Sequence, residues 1–184
     1  MNCYVLTGGR STRMGQSKAA LFLDQVVAAA ATVFDRVIAV ERHSGKPLSI
    51  ATIFEDEHES VAPVFGVARA LVDAPGPCFI LAVDFALIRS DVLSFLRSRF
   101  EKSNASMLVP VWDGVPQVLC AGYRTCISVP IAERIESGMY DLHGLVDDVD
   151  AEVIGEATLR ARFDGEPLMN VNTPEQLAAA ERMR

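Results

Sequence analysis

The chain has 184 residues, half of them apolar, with a formal net charge of −7 and a sequence pI near 4.9. This length and composition predict one globular domain, residues 1–184, that buries its core without disulfide cross-links. The acidic balance argues against a nucleic-acid partner, which would need a basic face, but it remains compatible with a nucleotide ligand.

The four cysteines show no C-x-x-C pair and no zinc-ligand spacing, and Cys3, Cys78 and Cys120 lie in apolar runs. We therefore expect these three thiols in the core. No signal-peptide pattern opens the sequence, and no apolar run reaches the ~20 residues needed to span a bilayer. We expect a cytoplasmic protein with no membrane partner.

A short apolar run, residues 3–6, predicts a buried first strand. The loop after it, residues 7–18, carries three glycines, four hydroxyl side chains and the cations Arg13 and Lys18. Glycine lets the backbone approach a ligand closely, and successive N–H groups form a concavity for phosphate oxygens. The glycine spacing fits neither the P-loop nor the dinucleotide fingerprint. We therefore predict a nucleotide-phosphate site of another type, with a plain glycine turn as the alternative.

Strand and helix patterns alternate through the rest of the chain. The predicted further strands are residues 36–40, 50–54, 78–83, 105–110 and 118–123, with one more short strand at 152–154. The predicted helices are residues 25–34 with Asp24 as N-cap, 63–71, 92–100 capped by Ser90 or Asp91, 125–137 with Pro130 near its first turn, and a last helix that Thr173 caps.

This alternation predicts an α/β fold, a Rossmann-like three-layer sandwich around a mostly parallel sheet. In open sheets of this kind, ligands bind at the carboxyl ends of the strands. The polar residues at the ends of the predicted strands are Gly8 and Gly9, Glu41 and Arg42, Asp56 and Asp84. The nucleotide is expected there.

Asp84 ends the most apolar predicted strand of the chain. A carboxylate at the mouth of a buried strand is costly unless it is paired, hydrogen-bonded or bound to a metal. Mg²⁺ is typically held by one or two carboxylates together with substrate phosphates. We therefore predict that Asp84 binds Mg²⁺ against a triphosphate; the alternative is an aspartate that caps the next helix.

Two motifs carry a family resemblance. The pattern Leu6-x-Gly8-Gly9-x-x-x-Arg13-Met14-Gly15-x-x-Lys18 resembles the signature loop of the MobA-like nucleotidyltransferases, and the segment Asn170-Val171-Asn172-Thr173-Pro174-Glu175 resembles that family's C-terminal motif. The resemblance implies the nucleotide-diphospho-sugar transferase type of fold. It also implies transfer of GMP from GTP to molybdopterin, with Mg²⁺ as cofactor and release of pyrophosphate. Molybdoenzyme-maturation proteins are then candidate partners.

The resemblance also assigns residues to roles. The implied catalytic residues are Arg13, Lys18 and Asp84, with Asp84 as metal ligand. The implied nucleotide-binding residues are Leu6, Thr7, Gly8, Gly9, Lys18, Glu41, Asp56 and Asp84, and the implied acceptor-binding residues are Gln117, Asn170 and Asn172. Glu41 stands where guanine-selective relatives often have Asn, and its carboxylate could accept hydrogen bonds from guanine N1–H and N2–H₂.

The sequence departs from the family pattern in its middle. A short hairpin that usually precedes the first helix is missing, and Ala86 stands where a proline is usual. Two alternatives therefore stay open. One is a related transferase that uses CTP, or a sugar or alditol phosphate acceptor. The other is a non-catalytic accessory protein that keeps the nucleotide fold.

Overall fold

The computed structural model describes residues 1–8 and 18–182. The strands are β1 (Asn2–Leu6), β2 (Val37–Glu41), β3 (Thr52–Phe54), β4 (Cys78–Ala82), β5 (Met107–Trp112), β6 (Val115–Pro116), β7 (Cys120–Tyr123) and β8 (Ala151–Ile154). The α-helices are α1 (Lys18–Ala31), α2 (Pro63–Asp73), α3 (Ser90–Lys102), α4 (Ser128–Glu136), α5 (Leu145–Asp148), α6 (Glu156–Arg160) and α7 (Pro174–Arg182). A 3-10 turn, Thr125–Ile127, leads into α4.

The described strands form an eight-stranded sheet in the order β3-β2-β1-β4-β7-β5-β6, with β8 pairing beside β5. β1 pairs in parallel with β2 and β4, and β8 runs parallel to β5. β7 is antiparallel to both of its neighbours. The chain reverses direction in the β5–β6 hairpin. There Asp113 and Gly114 adopt φ of 50° and 71°, the positive values that a two-residue type I′ turn requires. The prediction of a mostly parallel sheet is confirmed.

The sheet separates two hydrophobic clusters. Along β1, Cys3 and Val5 face one cluster and Tyr4 faces the other, because successive side chains of a strand point to opposite faces. Helices α1 and α3 cover the first face, through residues such as Phe22 and Leu93. Helices α2 and α4 cover the second face. This arrangement confirms the predicted three-layer sandwich.

The prediction that Asp24 caps the first helix was wrong. Helix α1 begins at Lys18 and includes Asp24. Phe22, Val26 and Ala30 are buried at a spacing of four, with Ala19 and Leu23 on the same face. This stripe packs onto the sheet, so the apolar residues ahead of Asp24 extend the helix. Helix α1 therefore takes in residues 19–23, the apolar run ahead of Asp24.

Of the two other predicted N-caps, the one at α3 was wrong and the one at α7 is confirmed. Helix α3 has Arg89 at its N-cap position and no side-chain cap, so the predicted cap by Ser90 or Asp91 was wrong. At α7 the predicted cap is confirmed: the Gln176 N–H donates to Thr173 Oγ1 (3.2 Å), and the Thr173 N–H donates to Gln176 Oε1 (3.1 Å). This reciprocal pair is a capping box.

Three of the four cysteines are fully buried, as predicted: Cys3, Cys78 and Cys120. Burial raises the pKa of each of these thiols, so they behave as apolar core groups. Across the described part of the chain, every helix is too short or too polar to cross a bilayer.

Candidate functional site

The carboxyl ends of the parallel strands β1, β2 and β4 meet at one edge of the sheet. The Thr7 N–H donates to the Val40 carbonyl (3.1 Å), and the Val83 N–H donates to the Leu6 carbonyl (3.0 Å). These two bonds fix the start of the glycine loop between the ends of β2 and β4. The described candidates for nucleotide binding therefore lie at this edge, where open α/β sheets bind ligands: Leu6, Thr7, Gly8, Glu41, Asp56 and Asp84.

A cavity of about 110 Å³ opens at this edge. We call it the first cavity; the described residues that line it are Leu6, Thr7, Gly8, Glu55, Pro63, Ala82, Val83, Asp84 and Leu119. Its walls are mainly apolar, and its polar side chains are two carboxylates and the buried Thr7 hydroxyl. Apolar walls with a few fixed polar groups are typical of small-molecule sites. Four of the predicted nucleotide-binding residues lie together here: Leu6, Thr7, Gly8 and Asp84.

A second cavity, also of about 110 Å³, lies next to Asp84. The described residues that line this second cavity are Asp84, Phe85, Pro116, Gln117, Val118, Leu119, His143 and Asn170. Asp84 and Leu119 therefore border both cavities. The second cavity brings together two of the predicted acceptor-binding residues, Gln117 and Asn170, with the predicted metal ligand.

The backbone around Asp84 is held from several directions. Its carbonyl accepts from the Val171 N–H (2.9 Å), which ties the C-terminal motif to the end of β4. The Phe85 N–H closes a turn onto the Ala82 carbonyl (3.3 Å), and the Gln25 amide of α1 donates to the Ala86 carbonyl (2.6 Å). The turn therefore forms with alanine at position 86.

Gln117 and Asn170 form a connected pair. The Gln117 Nε2 donates to the carbonyls of Trp112 (3.2 Å) and Val115 (3.0 Å), and its Oε1 accepts from Asn170 Nδ2 (3.1 Å). Gln117 is thus committed to internal hydrogen bonds and fixes the Asn170 amide. The Asn170 Oδ1 is buried with no hydrogen-bond partner among the described residues. A buried acceptor left unpaired is costly, so this oxygen suits a ligand that donates to it.

The remaining predicted acceptor residue, Asn172, contacts the start of α7. It is exposed, and its N–H donates to Gln176 Oε1 (2.7 Å) at the start of α7. It is not among the described residues that line the second cavity.

Two predicted nucleotide-binding acids lie beside the first cavity rather than in its described lining. Glu41 ends β2; its Oε2 accepts from the Thr7 hydroxyl (3.0 Å), and its Oε1 accepts from the Arg42 N–H (2.9 Å). Asp56 is exposed and lines a neighbouring groove of about 220 Å³ together with Arg42 and His43. Glu55 borders both this groove and the first cavity.

Sequence reasoning missed Glu55 and His143 as site residues. Glu55 follows β3 directly, and burial raises the pKa of its carboxyl to about 7; the Arg42 guanidinium opposes the rise, and Glu41 adds to it. The strand-end rule could have found Glu55 as readily as Asp56. His143 lies on a segment without a motif, and only the fold brings it to the second cavity.

Several predicted residues lie on the loop. Gly9 and Arg13 are outside the described residues, and Lys18 is the first residue of α1. A side chain at Gly8 would meet the Arg42 side chain, since an added Cβ would lie 2.6 Å from Arg42 Cγ.

Larger grooves occur elsewhere on the described surface. One of about 490 Å³ runs between the end of α1 and α3, and one of about 390 Å³ lies beside Asn2 and Pro77 at the amino ends of the strands. Neither contains a predicted site residue. We therefore identify the two cavities at the carboxyl edge as the candidate site because predicted functional residues meet there, although both cavities are smaller than these grooves.

Comparison with known sequences identifies the family. Residues 3–148 match the family model described as the MobA-like NTP transferase domain. A probable molybdenum cofactor guanylyltransferase of Mycobacterium avium (strain 104) is 30% identical over an alignment of 196 residues, gaps included. The alignment covers 98% of this chain and 94% of the relative.

Comparison with solved structures gives the same fold. Molybdopterin-guanine dinucleotide biosynthesis protein A from Archaeoglobus fulgidus superposes with a TM-score of 0.84 at 24% identity, covering 100% of this chain and 98% of the other. The 2-C-methyl-D-erythritol 4-phosphate cytidylyltransferase from Thermus thermophilus superposes with a TM-score of 0.72 at 12% identity, covering 99% of this chain and 97% of the other.

Proposed function

Because this chain belongs to the MobA-like NTP transferase family and is a nucleotidyltransferase, we propose that it transfers GMP from GTP to molybdopterin. One observation carries the proposal: Asp84 borders two cavities, and the predicted nucleotide and acceptor residues separate between them. A transferase must hold two substrates on either side of the atom that is transferred. Two cavities that share one carboxylate meet this requirement.

The base of the donor nucleotide occupies the first cavity in this proposal, because a cavity of about 110 Å³ has room for a base and not for a whole nucleotide. The base lies among the apolar side chains at the end of β1 and the start of α2, and the phosphates extend out of the cavity past Gly8 and Asp84. Arg13 and Lys18 bind the phosphates, as the family motif implies. Two cations and the loop N–H groups offset the charge of a triphosphate.

The residues present fit a magnesium ion. Among the described residues no group of three or more His, Cys, Asp or Glu side chains could hold a metal by itself. Asp84 alone is sufficient, because Mg²⁺ is commonly held by one or two carboxylates with substrate phosphates and water. When bound there, the ion neutralises phosphate charge that would repel the incoming acceptor.

The acceptor occupies the second cavity. An oxygen of its terminal phosphate attacks the α-phosphorus of GTP in line, a new P–O bond forms, and the bond to the bridging oxygen breaks as pyrophosphate leaves. The Asn170 Oδ1 accepts a hydrogen bond from the acceptor, and Gln117 keeps that amide oriented. Asn172 contributes at the rim of the site. Catalysis then rests on positioning and charge stabilisation.

A reconstituted assay tests the proposal. The purified protein is incubated with Mg²⁺, molybdopterin and each of GTP, CTP and ATP in turn, and pyrophosphate and the nucleotide-bearing product are measured. We expect pyrophosphate and a molybdopterin–GMP product with GTP. Product formed from CTP and not from GTP would make CTP the donor. In parallel incubations a sugar phosphate or an alditol phosphate replaces molybdopterin, and pyrophosphate release only there would make that phosphate the acceptor. If no combination of donor and acceptor releases pyrophosphate, the enzyme assignment is overturned.

A further inference from the structure

Glu41 and Glu55 stand near the first cavity at the ends of neighbouring strands, and they differ in how their oxygens are used. Both oxygens of Glu41 already accept hydrogen bonds, from the Thr7 hydroxyl and from the Arg42 N–H. Gly45 also packs against this side chain, since an added Cβ at Gly45 would overlap Glu41 Cγ. Glu41 is therefore held in place by the protein itself.

The Glu55 carboxylate has no comparable ties. The described residues give it no side-chain hydrogen bond and no ion pair, although the Arg42 charge acts on it. It lies over the first turns of α2, where an added Cβ at Gly66 would be 2.8 Å from Glu55 Oε1 and 3.2 Å from Leu6 Cδ2. The absence of a side chain at Gly66 thus lets this carboxylate and Leu6 lie close to the helix, inside the first cavity.

We propose that Glu55 selects the base of the donor nucleotide by accepting hydrogen bonds from two donors on one edge of guanine. The proposal rests on the function proposed above and specifies its donor site. Guanine presents N1–H and N2–H side by side, and a carboxylate offers two acceptor oxygens with matching spacing. Cytosine and adenine each present one N–H beside a ring-nitrogen lone pair, which repels the second oxygen.

The position of Glu55 agrees with this role. The carboxylates of the first cavity are Glu55, which follows β3, and Asp84, which follows β4. Apolar side chains, including Leu6, Pro63 and Leu119, form the walls between them. A nucleotide whose phosphates lie near Asp84 places its flat base between these walls, with its hydrogen-bonding edge toward Glu55. Polar groups that a wrong base leaves unpaired can give ~10⁴-fold discrimination.

Glutamine at position 55 tests the proposal, because it keeps the shape of glutamate but offers one acceptor and one donor. That pattern suits the edge of cytosine and opposes the edge of guanine. Dissociation constants of GTP and CTP with Mg²⁺ are measured by calorimetry at about pH 8.5, where Glu55 is ionised, for the full chain and for Glu55→Gln, Glu41→Gln and Glu59→Gln. Glu59 is exposed on the same loop and gives the matched change of charge.

We expect Glu55→Gln to weaken GTP binding by about tenfold or more and to lower the GTP-to-CTP preference further, since an unpaired or opposed donor is costly. We expect Glu59→Gln to leave that preference unchanged. An unchanged preference in Glu55→Gln, with normal thermal unfolding, would overturn the proposal, and a larger effect of Glu41→Gln would assign the role to Glu41. Base selection that depends on Glu55 without transfer to molybdopterin would support this inference and contradict the proposed function. Transfer of GMP from GTP with an unchanged nucleotide preference in Glu55→Gln would support the proposed function and contradict this inference.

Discussion

Replacing Glu55 by glutamine should stabilise the fold at alkaline pH even though it weakens GTP binding. The carboxyl lies partly buried beside Leu6 and Gly66, and burial raises its pKa from 4.5 to about 7. The folded protein therefore favours the protonated form more than the unfolded chain does. A glutamine amide, which is neutral at every pH, avoids the cost of burying the charge.

The sign and size follow from proton linkage. A raised carboxyl pKa costs no stability below pH 4.5; the cost grows as the pH rises and is complete above about pH 7. One pKa unit corresponds to about 1.4 kcal/mol, so the ceiling is about 3 kcal/mol. Because the side chain is partly solvated, screening reduces the expected gain in Glu55→Gln to about 1 to 2 kcal/mol.

The charged groups around Glu55 set this balance. Arg42 and Glu41 face it from the end of β2, and Asp84 shares the first cavity from the end of β4. The charged or titratable residues of its own loop are Asp56, Glu57, His58 and Glu59. Replacing one of the exposed loop acids should not reproduce the effect, because an exposed carboxyl has little burial to relieve.

Urea denaturation at about pH 5 and about pH 8.5 measures the difference between Glu55→Gln and the unchanged protein. We expect a small difference at the lower pH and the full gain at the higher pH, with no such trend in Glu59→Gln. Comparing variants at each pH cancels the titration of all other groups. An equal difference at both pH values, or a loss of stability at the higher one, would refute the assigned burial of Glu55.

Three further substitutions probe the site and its supports. Gly66→Ala should weaken GTP binding in calorimetry at a cost of about 1–3 kcal/mol, because the new methyl group displaces Glu55 and Leu6; an unchanged affinity would show that the cavity does not need this close approach. Gln117→Leu should raise KM for molybdopterin about tenfold or more and leave GTP affinity unchanged, since it frees Asn170; an equal loss for both substrates would contradict a role in the acceptor site. Thr173→Ala should cost about 1 kcal/mol in urea denaturation through loss of the cap, and Thr173→Ser should restore most of it.

Sequence alone predicts well those elements whose local sequence pattern matches their burial in the folded protein. The apolar run of residues 78–83 predicts a central strand, and β4 is indeed buried on both faces, although it pairs in parallel with β1 and antiparallel with β7. The capping box before α7 is local chemistry, and its residues suffice to predict it.

The sequence failed where tertiary packing decided the outcome. Asp24 has the side chain of an N-cap, but the apolar stripe at Phe22, Val26 and Ala30 continues the helix through it. Burial of that stripe outweighs a local capping preference. At the start of α3, Arg89 occupies the N-cap position without a side-chain cap, and its guanidinium forms an ion pair with Asp91.

The candidate site shows the same division. Motif residues such as Gly8, Asp84 and Asn170 were found from their patterns, and the fold brings them to two adjoining cavities. The roles within each cavity depend on partners that no pattern shows. Glu41 is already engaged by Thr7 and Arg42, whereas the Glu55 carboxylate has no side-chain partner among the described residues. Only the arrangement of β2, β3 and α2 distinguishes the two acids.

The central claim is that Asp84 serves the transfer step between two bound substrates, and Asp84→Asn tests it most directly. With GTP, Mg²⁺ and molybdopterin present, we predict that the rate of pyrophosphate release falls by about 10²-fold or more, because the charge that organises the phosphates is lost. Thermal unfolding should stay close to that of the unchanged protein, and Asp147→Asn, at an exposed position, should retain full activity. Pyrophosphate release at the unchanged rate by folded Asp84→Asn would contradict the account.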